Sequence, residues 1–218
     1  KLVSTRGRPE PGQVDSRAAH KHDIRRVFHE QLRAFWEIHP ALKLRSTIPW
    51  PRGFGGHLLH DIHDVGEQEP VNQSWREAIA DEHTASGFRW LPLATQRDQL
   101  NCSINVLYLR NGVRGELISE ADIDNRMKTL IDALKMPDER ELPYLDKSDK
   151  ASGRIKPLPD EDPFYVLLAD DSLVTSLSVE ADTLLRPTDR NLGDMDSRVV
   201  VTVKLSPFVA TNENLAFL

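Results

Sequence analysis

Asp122-Ile123-Asp124-Asn125-Arg126-Met127-Lys128-Thr129-Leu130-Ile131-Asp132-Ala133-Leu134 is the stretch on which the reading of this chain turns. Ile123, Met127, Leu130, Ile131 and Leu134 recur at helical spacing and predict an amphipathic helix from about Asp124 to Lys135, packed on a sheet. Asp124, Lys128 and Asp132 are successive i, i+4 neighbours, so they form one polar row beside the apolar stripe. Inside a helix, Asp122 and Asp124 would point about 200° apart and could not share an ion. In extended chain, residues two apart face the same side. A shared metal therefore requires the helix to begin near Asp124, with Asp122 still extended, which suits the preference of Asp for the N-cap and first turn. The ordinary alternative is a capped surface helix with an Asp–Lys–Asp ladder.

A second acidic pair, Asp170-Asp171, lies between the apolar runs Leu167-Leu168-Ala169 and Leu173-Val174. Adjacent carboxylates repel, and a solvated turn or a nearby cation relieves them. Together with Asp122 and Asp124, one of this pair would offer hard oxygen ligands of the kind that hold Mg²⁺ against a phosphodiester, with Lys128 near the phosphate.

Outward from these motifs, the order helix, strands, helix, strands predicts an α+β or mixed α/β class with a mixed sheet and packed helices. Ile24, Val27, Phe28, Leu32 and Phe35 mark a helix from about Asp15 to His39, closed by Pro40. A short helix is expected near Gln73 to His83, two strands between Phe88 and Arg110, and a turn at Asn111-Gly112. Further strands are expected at Phe164–Leu168, Leu173–Leu184 and Arg198–Leu205. Residues 1–14, with Gly7, Pro9, Pro11 and Gly12, read as a flexible arm, and 46–70 mostly as loop. The proline- and charge-rich segment 136–162 reads as a long polar excursion, exposed and mobile. The implied organisation is an arm and N-terminal helix over 1–45 and a main domain over 46–210.

The 218 residues suffice for one domain with a substantial core, and 39% hydrophobic with 28% charged residues is the balance of a soluble globular chain. No stretch approaches the roughly 18 apolar residues of a membrane span. No signal sequence is visible, although a start at Lys1 suggests a trimmed tag or a fragment. The lone Cys102 cannot form an internal disulfide, which points to a reducing compartment and a cytoplasmic location. A net charge of −6 argues against a protein that coats nucleic acid by general electrostatics, while leaving room for a nuclease with local basic patches. One such patch is Arg17, Lys21, Arg25, Arg26 and Arg33 with His20, His22 and His29, for which a solvated helix face is the simpler reading. Other signals are weaker. His57, His60 and His63 drift around a helix and sit among glycines, so a zinc site is not expected. Gly53-x-Gly55-Gly56 lacks the Gly-Lys-Ser/Thr of a P-loop.

The combination Asp-x-Asp-Asn-x-x-Lys-x-x-x-Asp-Ala-Leu followed by Asp-Asp before a Val-containing strand resembles the RusA family of Holliday-junction resolvases, over about residues 100–205. Ile48-Pro49-Trp50-Pro51 is similar to the Pro-Trp-Pro entry common near the family's first strand. The resemblance implies a homodimeric endonuclease that cuts four-way DNA junctions with Mg²⁺, for which Mn²⁺ substitutes. It implies Asp122, Asp124 and Asp171 as metal-binding catalytic acids and Lys128 as the catalytic lysine. Asp170, Asp132 and Asn125 would support them, and Arg126, Arg110 and Arg114 would contact nucleic acid.

The chain also departs from the family. The helix-to-turn connection is expanded by roughly 25 residues relative to the short family pattern. Glu116-Leu117-Ile118-Ser119-Glu120-Ala121 is acidic where basic residues are expected, and the N-terminal helix is an addition. These departures leave two alternatives: a nuclease of the same scaffold with another nucleic-acid target, in phage or anti-phage biology, and a non-catalytic protein-interaction module.

Overall fold

The computed structural model describes residues 2–4, 16–47, 73–110, 123–146, 149–184, 197–211, 214 and 217. The first long element is α1, Ser16–Ile38, whose Ile24, Phe28, Leu32 and Trp36 repeat every four residues and are all buried. Pro40 does more than close this helix. It opens α2, Pro40–Arg45, at a position where its missing N–H costs no hydrogen bond and its fixed φ suits the first turn. Helix α3, Trp75–Glu82, is capped by Ser74, whose hydroxyl accepts from the Glu77 amide.

Strands β1 (Leu2–Ser4), β4 (Leu100–Arg110), β8 (Val174–Thr183) and β9 (Ser197–Pro207) form a four-stranded sheet in the order β1-β9-β4-β8. Strands β4 and β8 are parallel, whereas β9 runs antiparallel to both β4 and β1. The class is therefore α+β with mixed sheets. Leu2–Ser4, expected within a flexible arm, pairs with Val199–Val201, where backbone hydrogen bonding outweighs the loop-like composition around it.

Period-two patterning is clear in β4, where Leu100, Cys102, Ile104, Val106 and Tyr108 are buried and Asn105 is exposed. Helix α4, Ile123–Leu134, covers that face with Met127, Leu130 and Leu134, joined by the apolar stripe of α1. A smaller sheet contains β2 (Thr84–Ala85), β3 (Phe88–Ala94) and β7 (Phe164–Leu168), with β3 and β7 parallel. Both β3 and β7 are buried almost throughout, as parallel strands covered on both faces are.

The 136–162 segment, expected as an exposed and mobile loop, carries regular structure and buried anchors among its described residues. It holds a 3-10 turn at Glu139–Glu141 and a hairpin of β5 (Tyr144–Asp146) with β6 (Asp149–Arg154). Leu142 is fully buried in a second core with Phe88, Trp90, Phe164 and Val166, against which Met136 and Ile155 pack. A few apolar residues among many charges are enough to anchor it, because each enters a ready-made aromatic cluster.

Among the described residues no helix is long and apolar enough to cross a membrane. Asp122, Arg114, the Asn111-Gly112 turn, the Ile48-Pro49-Trp50-Pro51 stretch, His57, His60 and His63 and Gly53, Gly55 and Gly56 all lie outside the described residues.

Candidate functional site

Helix α4 positions most of the residues singled out in the sequence. Its N-terminal turn lies beside the C-terminal end of β4, where Arg126 Nη1 donates to the Tyr108 hydroxyl at 2.6 Å and the guanidinium stands 5.5 Å from the Tyr108 ring centre. Arg126 is therefore half-buried against an aromatic residue. Arg110 is described only as the backbone end of β4. Asp124, Asn125 and Lys128 are exposed on the first turns of α4. Neither Asp124 nor Lys128 forms an ion pair among the described residues. The helix begins at Ile123, so Asp124 sits in the first turn, where the helix dipole favours a carboxylate.

The polar row on α4 does not form the Asp–Lys–Asp ladder of the ordinary alternative. Asp132, 8% exposed, meets Lys21 of α1 instead, with Nζ 2.6 Å from Oδ2. The Asp132 backbone carbonyl accepts from Arg25 Nη2 at 2.9 Å. Lys21 also lies 3.8 Å from Glu141. Further along α1, Arg26 Nε donates to Glu161 Oε1 at 2.6 Å, and Arg33 Nη1 donates to the Asp160 carbonyl at 3.3 Å. The basic patch read near the N-terminus is thus mostly committed to α4 and to the acidic 136–162 segment.

Asp170 and Asp171 stand where β7 passes into β8. The Asp170 carboxylate accepts from the Ser172 backbone amide at 2.9 Å, and hydrogen bonding from Ser172 holds it below the ordinary carboxylate range. Asp171 Oδ2 lies 3.4 Å from Nζ of Lys135, at the C-terminal end of α4. Burial pulls the Lys135 ammonium down, but Glu141, Asp171 and Asp132 together outweigh it and leave Lys135 above the ordinary lysine range.

Asp124 and Asp171 consequently occupy opposite ends of α4. At about 1.5 Å rise per residue, the helix separates Asp124 from Lys135 by roughly 16 Å. The strands agree: Arg126 contacts Tyr108, whereas β8 begins with Val174 beside Cys102, six residues back along β4, or about 20 Å. No group of three or more His, Cys, Asp or Glu that could hold a metal ion occurs among the described residues. Of the acids implied to hold Mg²⁺ or Mn²⁺, Asp124 and Asp171 are not brought together, and Asp122 lies outside the described residues. The distance along α4 follows from the helix itself, and the position of Asp171 from a parallel bridge between Lys135 and Leu168.

What sequence reasoning missed is the burial of His22, Arg25 and His29, read as part of a solvated basic patch but set on the inner face of α1 and all no more than 3% exposed. Their signal was present in the spacing, since 22, 25 and 29 step by three and then four residues, and 25 and 29 each directly follow a residue of the Ile24, Phe28 stripe. Burial and the positive field of Arg25 and Arg26 push the His22 imidazole down to about 3. Cys102, buried in β4, has its thiol pushed up to about 12 by the same loss of water, consistent with a small core residue rather than a nucleophile. Compared with known proteins, the chain matches no family model, no curated protein and no solved structure.

Proposed function

We propose that this chain is a RusA-like endodeoxyribonuclease of the cytoplasm, acting as a homodimer on Holliday junctions or other branched DNA with Mg²⁺ as its cofactor. The observation that supports this most is the pair Asp124 and Lys128, exposed and uncommitted at the start of α4 while the other charged residues near its end are engaged. A helix N-terminus carrying a lysine one turn on is electrostatically suited to a phosphate, and a carboxylate beside it is suited to a cation on that phosphate. The sequence Asp-x-Asp-Asn-x-x-Lys adds chemical specificity to that position. A catalytic role for Asp171 is part of the proposal through the resemblance alone, because its place at the far end of α4 does not favour it.

A second reading, a non-catalytic interaction module, is favoured by one observation: Asp171 is paired with Lys135 rather than gathered with Asp124. The two readings separate when labelled four-way junction, flap, duplex and single-stranded DNA are incubated with the purified chain in Mg²⁺ or EDTA. Metal-dependent cutting of the junction, abolished by Asp124→Asn, supports the nuclease. A nuclease cutting another nucleic acid would show a different substrate preference with the same loss in Asp124→Asn. Equal cutting by the variant removes the site, and cutting of no substrate leaves the interaction module.

A further inference from the structure

We propose that α1 is docked on β7 through a hydrogen bond that only a neutral His29 can make, so that acid releases this helix. The backbone N–H of Tyr165 in β7 donates to Nδ1 of His29 at 2.9 Å, across a buried junction between elements far apart in sequence. Accepting at Nδ1 places the single proton of the neutral ring on Nε2. A second proton could only go to Nδ1, where it would face the Tyr165 N–H head on. One event would then remove a buried hydrogen bond, orphan a backbone donor and bury a charge.

The surroundings give the added charge little help. The His29 ring packs against the rings of Phe164 and Tyr165, with centroids 4.4 and 5.6 Å away. Arg33 of its own helix opposes protonation, while Glu161 and Asp160 of the 136–162 segment, including the Asp160 backbone, favour it. Burial exceeds those contributions and holds the imidazole below its ordinary range. Glu161 is moreover already engaged by Arg26 and by the Leu158 amide.

About two turns earlier, His22 adds a second neutral ring between Phe88 of β3 and Phe164 of β7, with its Nδ1 3.4 Å from Arg25 Nη1. Arg25 and Lys21 in turn hold the Asp132 end of α4. Loss of α1 from β7 would therefore loosen the C-terminal end of α4 and the strand that leads to Asp170-Asp171. This inference does not depend on nuclease activity.

The test is amide hydrogen exchange of the full chain by NMR between pH 7 and pH 4.5, with rates corrected for intrinsic pH dependence, beside His29→Asn. Asn places its side-chain oxygen at the same remove from Cβ as Nδ1, so it can accept from the Tyr165 N–H, and it does not titrate. In the wild type the Tyr165 amide should lose protection by about tenfold per pH unit once the pH falls below 6.5, where the released imidazole takes up its proton, down to the lower folded-state value of His29. In His29→Asn that acid loss should be absent over the same range. Equal acid loss in both proteins overturns the proposal. Should the variant fail to fold, nitrogen shifts of the wild-type imidazole decide: a neutral Nε2–H ring for as long as Tyr165 stays protected supports the proposal, and a doubly protonated ring with Tyr165 still protected overturns it.

Discussion

Lys21 Nζ lies 2.6 Å from Oδ2 of Asp132, an ion pair that joins α1 to the far end of α4 with both side chains mostly shielded from water. Removing one partner leaves the other partly buried and unpaired, and this is what makes such contacts costly to break. Lys21→Ala and Asp132→Ala should each lower stability by about 1–3 kcal/mol in urea unfolding. The double variant should cost clearly less than the sum of the two singles, because the residues share one interaction. Strict additivity would show that the pair contributes nothing.

Asp124 and Asp171 can be told apart by what each substitution spares. Both side chains are exposed, so Asp124→Asn and Asp171→Asn should change stability by no more than about 0.5 kcal/mol. Asp124→Asn and Lys128→Ala should each reduce junction cutting at least about 100-fold, in the range expected when a preorganised electrostatic group is lost. Asp171→Asn is the discriminating variant. A comparable loss would require Asp171 to reach Asp124 in the working enzyme, whereas retained activity would assign it to the Lys135 contact alone.

The 136–162 segment should behave as folded structure. Leu142→Ala opens a cavity in the aromatic cluster and should cost about 2–5 kcal/mol. Glu161→Ala strips a buried acceptor from Arg26 and from the Leu158 amide, with a cost of about 1–3 kcal/mol. In limited proteolysis, both variants should be cut within 136–162 far sooner than the wild type. Cleavage of the wild type at the same rate would show that the segment is undocked in solution.

Stability should fall in mild acid, and His22 sets part of the slope. Its imidazole stays neutral in the folded chain down to about 3, whereas the unfolded chain takes up a proton near 6.5. The unfolded state therefore binds more protons below 6.5, and stability present above that value is lost as the pH falls toward 3. The accumulated loss is on the order of a few kcal/mol. Urea titrations at pH 7.5, 6, 5 and 4 should show this slope, and it should be shallower in His22→Leu, which cannot titrate. Parallel slopes in the two proteins would contradict the buried, neutral assignment.

The elements legible in the sequence were those whose signal is local. The stripe Ile24, Phe28 and Leu32, the run Ile104 to Leu109 and the apolar face of Met127, Leu130 and Leu134 each carry their periodicity within a dozen residues, and each became the expected helix or strand. Where distant segments compete, local signals misled. Leu142 and Glu161 lie in a stretch whose composition says loop, yet an aromatic cluster and a basic helix hold them. The basic residues of α1 suggested either a solvated face or a nucleic-acid footprint, but Lys21 and Arg26 found carboxylates 111 and 135 residues away.

The candidate site divides along the same line. By itself, the sequence determined that Asp124 and Lys128 share one helix face, because a 3.6-residue turn leaves no other choice. Whether Asp171 stands with them was decided only by tertiary structure, through the parallel pairing of Lys135 with Leu168 and of β4 with β8. Helical periodicity is a property of neighbouring residues. The approach of one helix end to one strand end depends on how buried faces and backbone hydrogen bonds are satisfied across the whole fold.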